Sequence, residues 1–400
     1  MRSTLGNRLQ KRAVGRKATA EPARVLARKR PTLKDVADAV GVHISTVSRA
    51  LNPKTRHYIT PEISAKILKA SAALNYRQNA AAYTLRTNRT RIIGVIIPDI
   101  ANPIFPPIIR GIEDALAASG YMAILVNTDS ALPREASVID MLCGRGVDGV
   151  IAASVERDDP AFRQLAEDGI PVVTVNRRMD DPRIASIVND DDQGIRAVLD
   201  HLAALGHRRI ANIAGPQNLS TGKGRLDAFL RHRDGLGLPA DQRLIIVADG
   251  FNDGEGERCA EALLARRAGF TALVCSNDRL AIGAIAALHR HGHAVPADIS
   301  VTGFNDMPMM DRIEPPLTTI RVPQYVAGRM AAEALLARLE RDGPDAAVPQ
   351  HETLPVELIV RASTARPAAI AGREKARSPA REPVTPLRAA RRAARRMASR

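Results

Sequence analysis

The sequence predicts an α/β protein: a small all-α helix-turn-helix head, then a two-lobed core of doubly wound parallel sheets. Three observations carry this. Two short amphipathic helical patterns meet at Gly41 within Pro31 to Asn52, PTLKDVADAVGVHISTVSRALN. From Arg91 onward, apolar strand patterns alternate with helical ones, the signature of parallel sheets covered on both faces. That alternation runs in two series, one per lobe.

The head is justified residue by residue. Thr32 with Asp35 three positions later is an acidic variant of the capping box. Val36, Ala37 and Val40 share one face at helical spacing. Gly41 can take the left-handed conformation that ends a helix. The second helix buries Val47, Ala50 and Leu51 and offers Ser45, Thr46, Ser48, Arg49 and Asn52 on its other face. A third begins at Thr60-Pro61-Glu62, with Pro at the first helical position and an acid near the positive end; Ile63, Ile67, Leu68 and Leu74 supply its apolar side. Two helices on so short a turn match a DNA-reading motif whose second helix enters the major groove; the plain alternative is a helical hairpin in a bundle.

Charge placement favours a polyanion at one end. Residues 1–30 hold ten Lys/Arg against one acid, residues 31–90 nine against three, and residues 361–400 twelve against two. With the chain at +15, residues 91–360 carry −10. The basic segments suit nucleic acid, the acidic body something else; for the two tails, solvated disorder without a specific partner is equally consistent. Residues 77–90 form a basic connector in which Ala80–Leu85 is too short to be a stable helix in water. Cys143, Cys259 and Cys275 have no C-x-x-C spacing, which gives neither a disulfide framework nor a zinc site and suits reduced thiols. The absence of a membrane-length apolar run or secretory signal gives the expectation of a cytoplasmic, nucleoid-associated protein with no membrane partner.

Strands are expected at 92–97, 122–126, 150–153, 172–175 and 184–188, then at 210–214, 244–248, 273–276 and 299–303. Helices are expected at 104–118, 134–143, 191–205, 222–233, 255–267 and 278–290, and a closing helix at 324–341 precedes a strand at 353–360. The organisation expected is a tail at 1–30, a head at 31–76, a hinge at 77–90, a core at 91–361 and a tail at 362–400. Lobe 1 takes 91–189 and 324–351, lobe 2 takes 190–323 and 352–361.

Ligands of open parallel sheets bind beyond the carboxyl ends of the strands. There this chain has Asp99 and Asn102, Asn127 and Asp129, Asn176, Gly215, Asp249 with Phe251, Asn277 with Asp278, and Asn305 with Asp306. Amides and carboxylates suit a ligand rich in hydroxyls or ring nitrogens. Arg225 is a forked donor one turn into the following helix, and Phe251 a stacking face. Singly, each strand-end Asn or Asp is as well read as a helix cap. No G-x-G-x-x-G, H-E-x-x-H or G-x-S-x-G is present. Gly215 to Lys223 lacks the spacing and the hydroxyl of a phosphate loop, and the alternating His289, His291 and His293 end a helix pattern. No catalytic residue, metal site or cofactor is expected.

At this point the motifs resemble a known family, the lac repressor/gal repressor family of bacterial transcription regulators, from about Pro31 to Val360. TLKDVADAVGV…TVSRALN, LNYRQNAAAYTL, ALGHRRIANIAGP, SNDRLAIGAIAAL, ISVTGFND and PPLTTI occur in order. The resemblance implies a homodimer, with tetramers known, that reads a near-palindromic operator. It implies base contacts from Ile44, Ser45 and Arg49, and DNA-facing roles for Thr32, Leu33, His43, Thr46, Ser48, Asn52, Tyr76 and Asn79. Leu85 matches the family's lever leucine, which wedges into the minor groove when the connector becomes helical on DNA. The core implied is periplasmic-binding-protein-like, two lobes joined by three crossovers. The resemblance places a small polar effector (a sugar, sugar acid or nucleobase) against Asn176, Arg225, Phe251, Asn277 and Asn305; Asn102, from the strand-end reading, and Phe105 complete the expected effector site. His43 stands where the family has Ser, Ile44 where many members are polar, Gln78 where proline is usual and Asn305 where many have Asp. The alternatives are a cytosolic solute-binding protein of the same body fold, an enzyme on a doubly wound fold, and a nonspecific DNA binder acting through its tails.

Overall fold

The structure is a computed structural model that describes residues 31–52, 55–77, 84, 89–340 and 351–368. It forms two compact units, Met1–Asn88 and Arg89–Arg400. The first holds α1 (Leu33–Val40), α2 (Ile44–Leu51), a 3-10 turn at Arg56–Tyr58 and α3 (Pro61–Ala73). The capping box forms: Asp35 N donates to Thr32 Oγ1 at 3.3 Å, and Thr32 N donates to Asp35 Oδ2 at 2.6 Å. Gly41 closes α1 at φ 71°, a conformation a side chain would strain. Val36, Val47, Ala50 and Ile67 are completely buried, and half-buried Leu33, Leu51, Ile63, Leu74 and Tyr76 pack around them. Leu68, expected in this core, is instead 40% exposed, because Ile67 beside it fills the inward position. The back end of α2 is held by Arg56 Nε, which donates to Ala50 O at 2.9 Å.

The second unit alternates strands and helices. Lobe 1 contains β1 (Ile92–Ile97), α4 (Phe105–Ala118), β2 (Met122–Asn127), α5 (Leu132–Gly144), β3 (Gly149–Ala152), α6 (Pro160–Glu167), β4 (Val172–Val175) and β5 (Ala185–Asn189). Lobe 2 contains α7 (Asp191–Ala204), β6 (Ile210–Ala214), α8 (Ser220–Gly235), β7 (Ile245–Val247), α9 (Asp253–Ala265), β8 (Ala272–Cys275), α10 (Asp278–Arg290), β9 (Ser300–Thr302) and β10 (Thr319–Arg321). The chain returns through α11 (Gln324–Glu340) and β11 (His351–Leu354) to lobe 1, and through β12 (Glu357–Ile359) to lobe 2. The lobe 1 sheet is all parallel in the order β11-β5-β4-β3-β1-β2, and the lobe 2 sheet is all parallel in the order β7-β6-β8-β9. β10 and β12 form an antiparallel pair.

Strand alternation explains why helices cover both faces. Ile93, Val95 and Ile97 pack with Ile108 and Ile112 of α4 and Leu335 of α11, whereas Ile96 faces Val138, Leu142 and Phe162 on the other side. In lobe 2, Ala211 and Ile213 pack with α9 and α10, and Ile210 packs with Val198 of α7 and Phe229 of α8.

Besides Leu68, several features differ from expectation, and β10 is a strand that was not foreseen. α6 was not foreseen, although Asp159 caps it and Pro160 opens it. The strand expected at 353–360 is two strands in different sheets, which takes lobe 1 to residue 354 rather than 351. The first residues expected in the tail pack on lobe 2 instead: Ser363 is fully buried against the edge of β9. Its hydroxyl donates to Val301 O at 2.6 Å and accepts from Thr318 N at 2.8 Å, and Val301 N donates to Ser363 O at 2.8 Å. Ala365 O accepts from His207 Nε2 at 2.8 Å. Among the described residues, no helix is long and apolar enough to cross a membrane.

Candidate functional sites

On the head, α2 presents its polar side outward while Val47 and Ala50 anchor the other side. Ile44 is 43% exposed, and Ser45 and Arg49 are exposed beside it. Thr46, Ser48 and Asn52 are half-buried along the flanks, and Asn52 closes the helix by donating its backbone N–H to Arg49 O at 3.3 Å. His43 is the N-cap: its Nδ1 accepts from Ser45 N at 3.3 Å and lies 2.8 Å from Ser45 Oγ. An imidazole therefore does what Ser or Asp usually does at this position. Thr32 is exposed, whereas Leu33 and Tyr76 pack against the head's core, where burial raises the Tyr76 hydroxyl pKa. Asn79, Leu85 and the rest of Ala80–Leu85 apart from Thr84 lie outside the described residues.

In the core, seven expected positions meet. Asn102, Phe105, Asn176, Arg225, Phe251, Asn277 and Asn305 line one small cavity of about 30 Å³, together with Ile104, Arg177 and Thr221. They come from loops after β1, β4, β7, β8 and β9, from the first turn of α4 and from the first two turns of α8, so both lobes contribute. A larger cavity of about 440 Å³ adjoins it and shares Asn102, Arg177 and Phe251. Gly215 lets the aromatic in: a Cβ there would lie 2.3 Å from Phe251 Cζ.

Arg225 is held on three sides. Its Nε donates to Asp191 Oδ1 at 2.8 Å, its Nη1 donates to Ser276 O at 2.6 Å, and its guanidinium carbon stands 3.7 Å from the Phe304 ring centroid. Burial raises the Asp191 pKa, opposed by that same guanidinium. Asn277 caps α10 through its Oδ1, which accepts from Leu280 N at 2.8 Å, leaving its amide nitrogen with a long contact of 3.5 Å to Phe251 O. Asn102 Oδ1 accepts from Ile104 N at 3.2 Å. Asn176 and Asn305 adopt positive φ, 67° and 117°, and both are more than nine-tenths buried. Their side-chain oxygens have no partner among the described residues. A buried amide oxygen left unpaired costs about 1–3 kcal/mol, which a hydroxyl or N–H of a ligand can offset.

Other strand-end residues serve the scaffold. Asp278 is fully buried, accepting from Met307 N at 2.8 Å and Thr319 Oγ1 at 2.5 Å, and burial pushes its pKa up to about 7. Asp306 pairs with Arg321 at 2.8 Å and Arg361 at 2.7 Å. Asn127 Oδ1 accepts from Ile100 N at 2.8 Å, and its amide donates to Asp129, which also binds Arg134. Asp99 accepts from Arg279 Nη1 across the lobes at 3.2 Å. Asp249 is an exposed carboxylate paired with Arg258 at 3.4 Å.

Sequence reasoning missed three contributors. Arg177 follows Asn176, and side chains of neighbouring residues usually diverge; here both line the same cavity, and Asn176 has a left-handed backbone. Asp191 was read only as part of a helix start. Glu135 is 4% exposed in the wall of the larger cavity, where it accepts from Ser154 Oγ; burial pushes its pKa up to about 8, with the Ser154 bond opposing. Among the described residues no group of three His, Cys, Asp or Glu is arranged to hold a metal. Cys259 and Cys275 are buried thiols, while Cys143 is only half-buried.

Comparison with known proteins places both units. Residues 32–79 match the family "Bacterial regulatory proteins, lacI family", and residues 199–364 match "Periplasmic binding protein-like domain". The ribose operon repressor of Halalkalibacterium halodurans is 30% identical over 335 residues, which are 83% of this chain and 97% of that protein. Among solved structures, the lac repressor dimer bound to operator and the anti-inducer ONPF superposes with a TM-score of 0.74 at 27% identity, covering 84% of this chain and all of that one. A complex of the transcriptional regulator CelR with cellobiose gives a TM-score of 0.64 at 29% identity, covering 84% of this chain and all of that one. The chain therefore belongs to the lacI family of bacterial regulatory proteins and is a DNA-binding transcriptional regulator controlled by a small effector.

Proposed function

We propose that the chain works as a homodimeric repressor whose two heads read a near-palindromic operator, and that a sugar, sugar acid or nucleobase between its lobes sets operator affinity. Ile44, Ser45 and Arg49 touch bases; Thr32, Leu33, His43, Thr46, Ser48, Asn52, Tyr76 and Asn79 set register on the backbone. Leu85 wedges the minor groove. Asn102, Phe105, Asn176, Arg225, Phe251, Asn277 and Asn305 hold the effector. The lac repressor dimer on its operator and the CelR complex with cellobiose support the two halves of this reading by likeness.

The observation that carries it is the meeting of those seven residues in one cavity, with two buried amide oxygens lacking partners. Asn189, Asn212 and Thr302 also keep unpaired buried oxygens elsewhere, so it is the convergence on one cavity that carries the reading. The mechanism is linkage: an effector that prefers one lobe arrangement changes operator affinity, and the operator changes effector affinity by the same factor. The test is a melting-temperature screen of the purified chain against sugars, sugar acids and purines, followed by operator gel shifts with each hit. A ligand of the folded state raises the melting temperature, and a true effector also moves operator affinity. A set of hits that leaves operator binding untouched refutes the coupling.

A further inference from the structure

Residues 1–30 lie outside the described residues, but the chain they belong to is fixed at Thr32, the N-cap of α1. Thr32 is exposed, and so is Lys34 beyond it. Asp35, the acid of that first turn, is engaged by Thr32 N at 2.6 Å and by Thr32 Oγ1 at 2.8 Å. The residue before a proline is disfavoured in a helix, so Pro31 stops α1 from running backwards and the chain enters the head at this exposed end. In helix-turn-helix heads the first helix crosses the DNA backbone while the second enters the groove. The positive end of α1 is therefore the end that faces a phosphate.

Immediately before this end stand Arg28, Lys29 and Arg30, with Arg24 further back. The nearest acid on that side is Glu21, and no acid stands among residues 22–31. Val25 and Leu26 are the large aliphatic residues of that stretch, too few for insertion into lipid. Four extended residues span at most about 14 Å, the axial rise of about four nucleotides of one strand. Arg28 to Arg30 therefore stay within reach of the phosphates that flank α1 once the head is on DNA, at an effective concentration that a free polyanion does not match. The stretch precedes the part that matches the family of lacI regulators, which begins at residue 32.

We propose that residues 24–30 are an arm that lies along the DNA backbone beside α1, with Arg28, Lys29 and Arg30 neutralising phosphates outside the groove that α2 reads. This rests on the reading of α2 as the helix in the groove and extends it. Phosphate contacts carry no sequence information, so the arm adds affinity for operator and unrelated duplex alike and leaves base preference to Ile44, Ser45 and Arg49.

The test is fluorescence-anisotropy titration of the full chain, over a series of salt concentrations, with a duplex selected from a random library by the wild-type chain and with a scrambled duplex. Replacing Arg28, Lys29 and Arg30 together with Ala is expected to weaken binding of both duplexes about tenfold or more, and to lower the slope of log affinity against log salt by about 2–3 for each head bound. The ratio between the two duplexes is expected to stay as in wild type. Replacing the two arginines with Lys is expected to keep most of the salt slope, because the charges remain. Unchanged affinity and slope in the Ala variant overturn the proposal. A loss confined to the selected duplex overturns it too, since an arm that reads bases lowers the ratio. Tighter binding of a single-stranded RNA than of either duplex, lost in the Ala variant, makes the arm an RNA contact and likewise overturns it. Arg49→Ala tests the underlying reading separately: it is expected to erase the preference for the selected duplex. A preference retained in Arg49→Ala counts against the reading of α2, whereas the salt slope of the Ala variant judges the arm.

Discussion

Arg225 and Asp191 join α8 to the first turn of α7 through a 2.8 Å bond, with Arg225 only 2% exposed. This pair fixes the guanidinium in the cleft wall before any ligand arrives. Replacing Arg225 with Ala leaves Asp191 without its partner and is expected to lower core stability by about 3 kcal/mol. Effector response is expected to vanish while operator affinity stays near wild type. Urea melts and gel shifts with and without effector check both; a preserved response removes Arg225 from the site.

Glu135 gives a pH test whose sign is fixed. Its folded pKa is raised from about 4.5 to about 8, so the folded chain keeps a proton that the unfolded chain releases in that window. Its stabilising share is complete below pH 4.5 and is lost as pH climbs towards 8, at up to about 1.4 kcal/mol per pH unit. Glu135→Gln is expected to flatten this slope, melting with wild type near pH 4.5 and above it at pH 8. Parallel melting curves for the two proteins across that range rule the assignment out.

His43 tests the head. Its Nδ1 satisfies the Ser45 N–H, so His43→Ala is expected to cost about 0.5–1 kcal/mol and to raise hydrogen exchange at the first amides of α2. Unaltered exchange at Ser45 shows that the ring is not the cap.

Leu85→Ala is expected to abolish operator bending, read by circular-permutation gel shift, and to leave salt-sensitive nonspecific binding intact. Persistent bending removes Leu85 from the wedge role.

Truncation separates scaffold from tail. Ending the chain after residue 368 is expected to keep the melting temperature and weaken only nonspecific DNA binding. Ending it after residue 361 removes the Ser363 bonds to Val301 and Thr318 and is expected to lower the melting temperature by several degrees. Equal melting of the two truncations places the strap outside the folded core.

The sequence was most informative where one-dimensional spacing determines position. Strand ends in a parallel sheet share one edge, so Asn102, Asn176, Asn277 and Asn305 were readable from their places after apolar runs. The capping box likewise located the start of α1, and Pro61 at the first helical position that of α3, although the Thr60 side chain, read as its cap, makes no capping bond. What stayed hidden depends on backbone angles and on distant partners. Asp278 and Asp306 follow strands just as the amides do, yet Thr319, Met307, Arg321 and Arg361 draw them into the scaffold from residues far along the chain. Arg177 lines the cavity beside Asn176, which sits at φ 67°, a backbone conformation that spacing does not announce. The split at residues 351–359 was missed because a short apolar run does not say which of two sheets each half joins.

The position of β11 has a consequence for synthesis. It pairs with β5 at the edge of the lobe 1 sheet, but it leaves the ribosome after all of α7 to β10 has been made. While lobe 2 emerges, β5 presents an open edge, and exposed strand edges are where nascent chains mispair. Lobe 2 likewise waits for β12 and the Ser363 strap. Both lobes are completed only by segments in about the last eighth of the chain, so a message cut short there leaves both with an open strand edge.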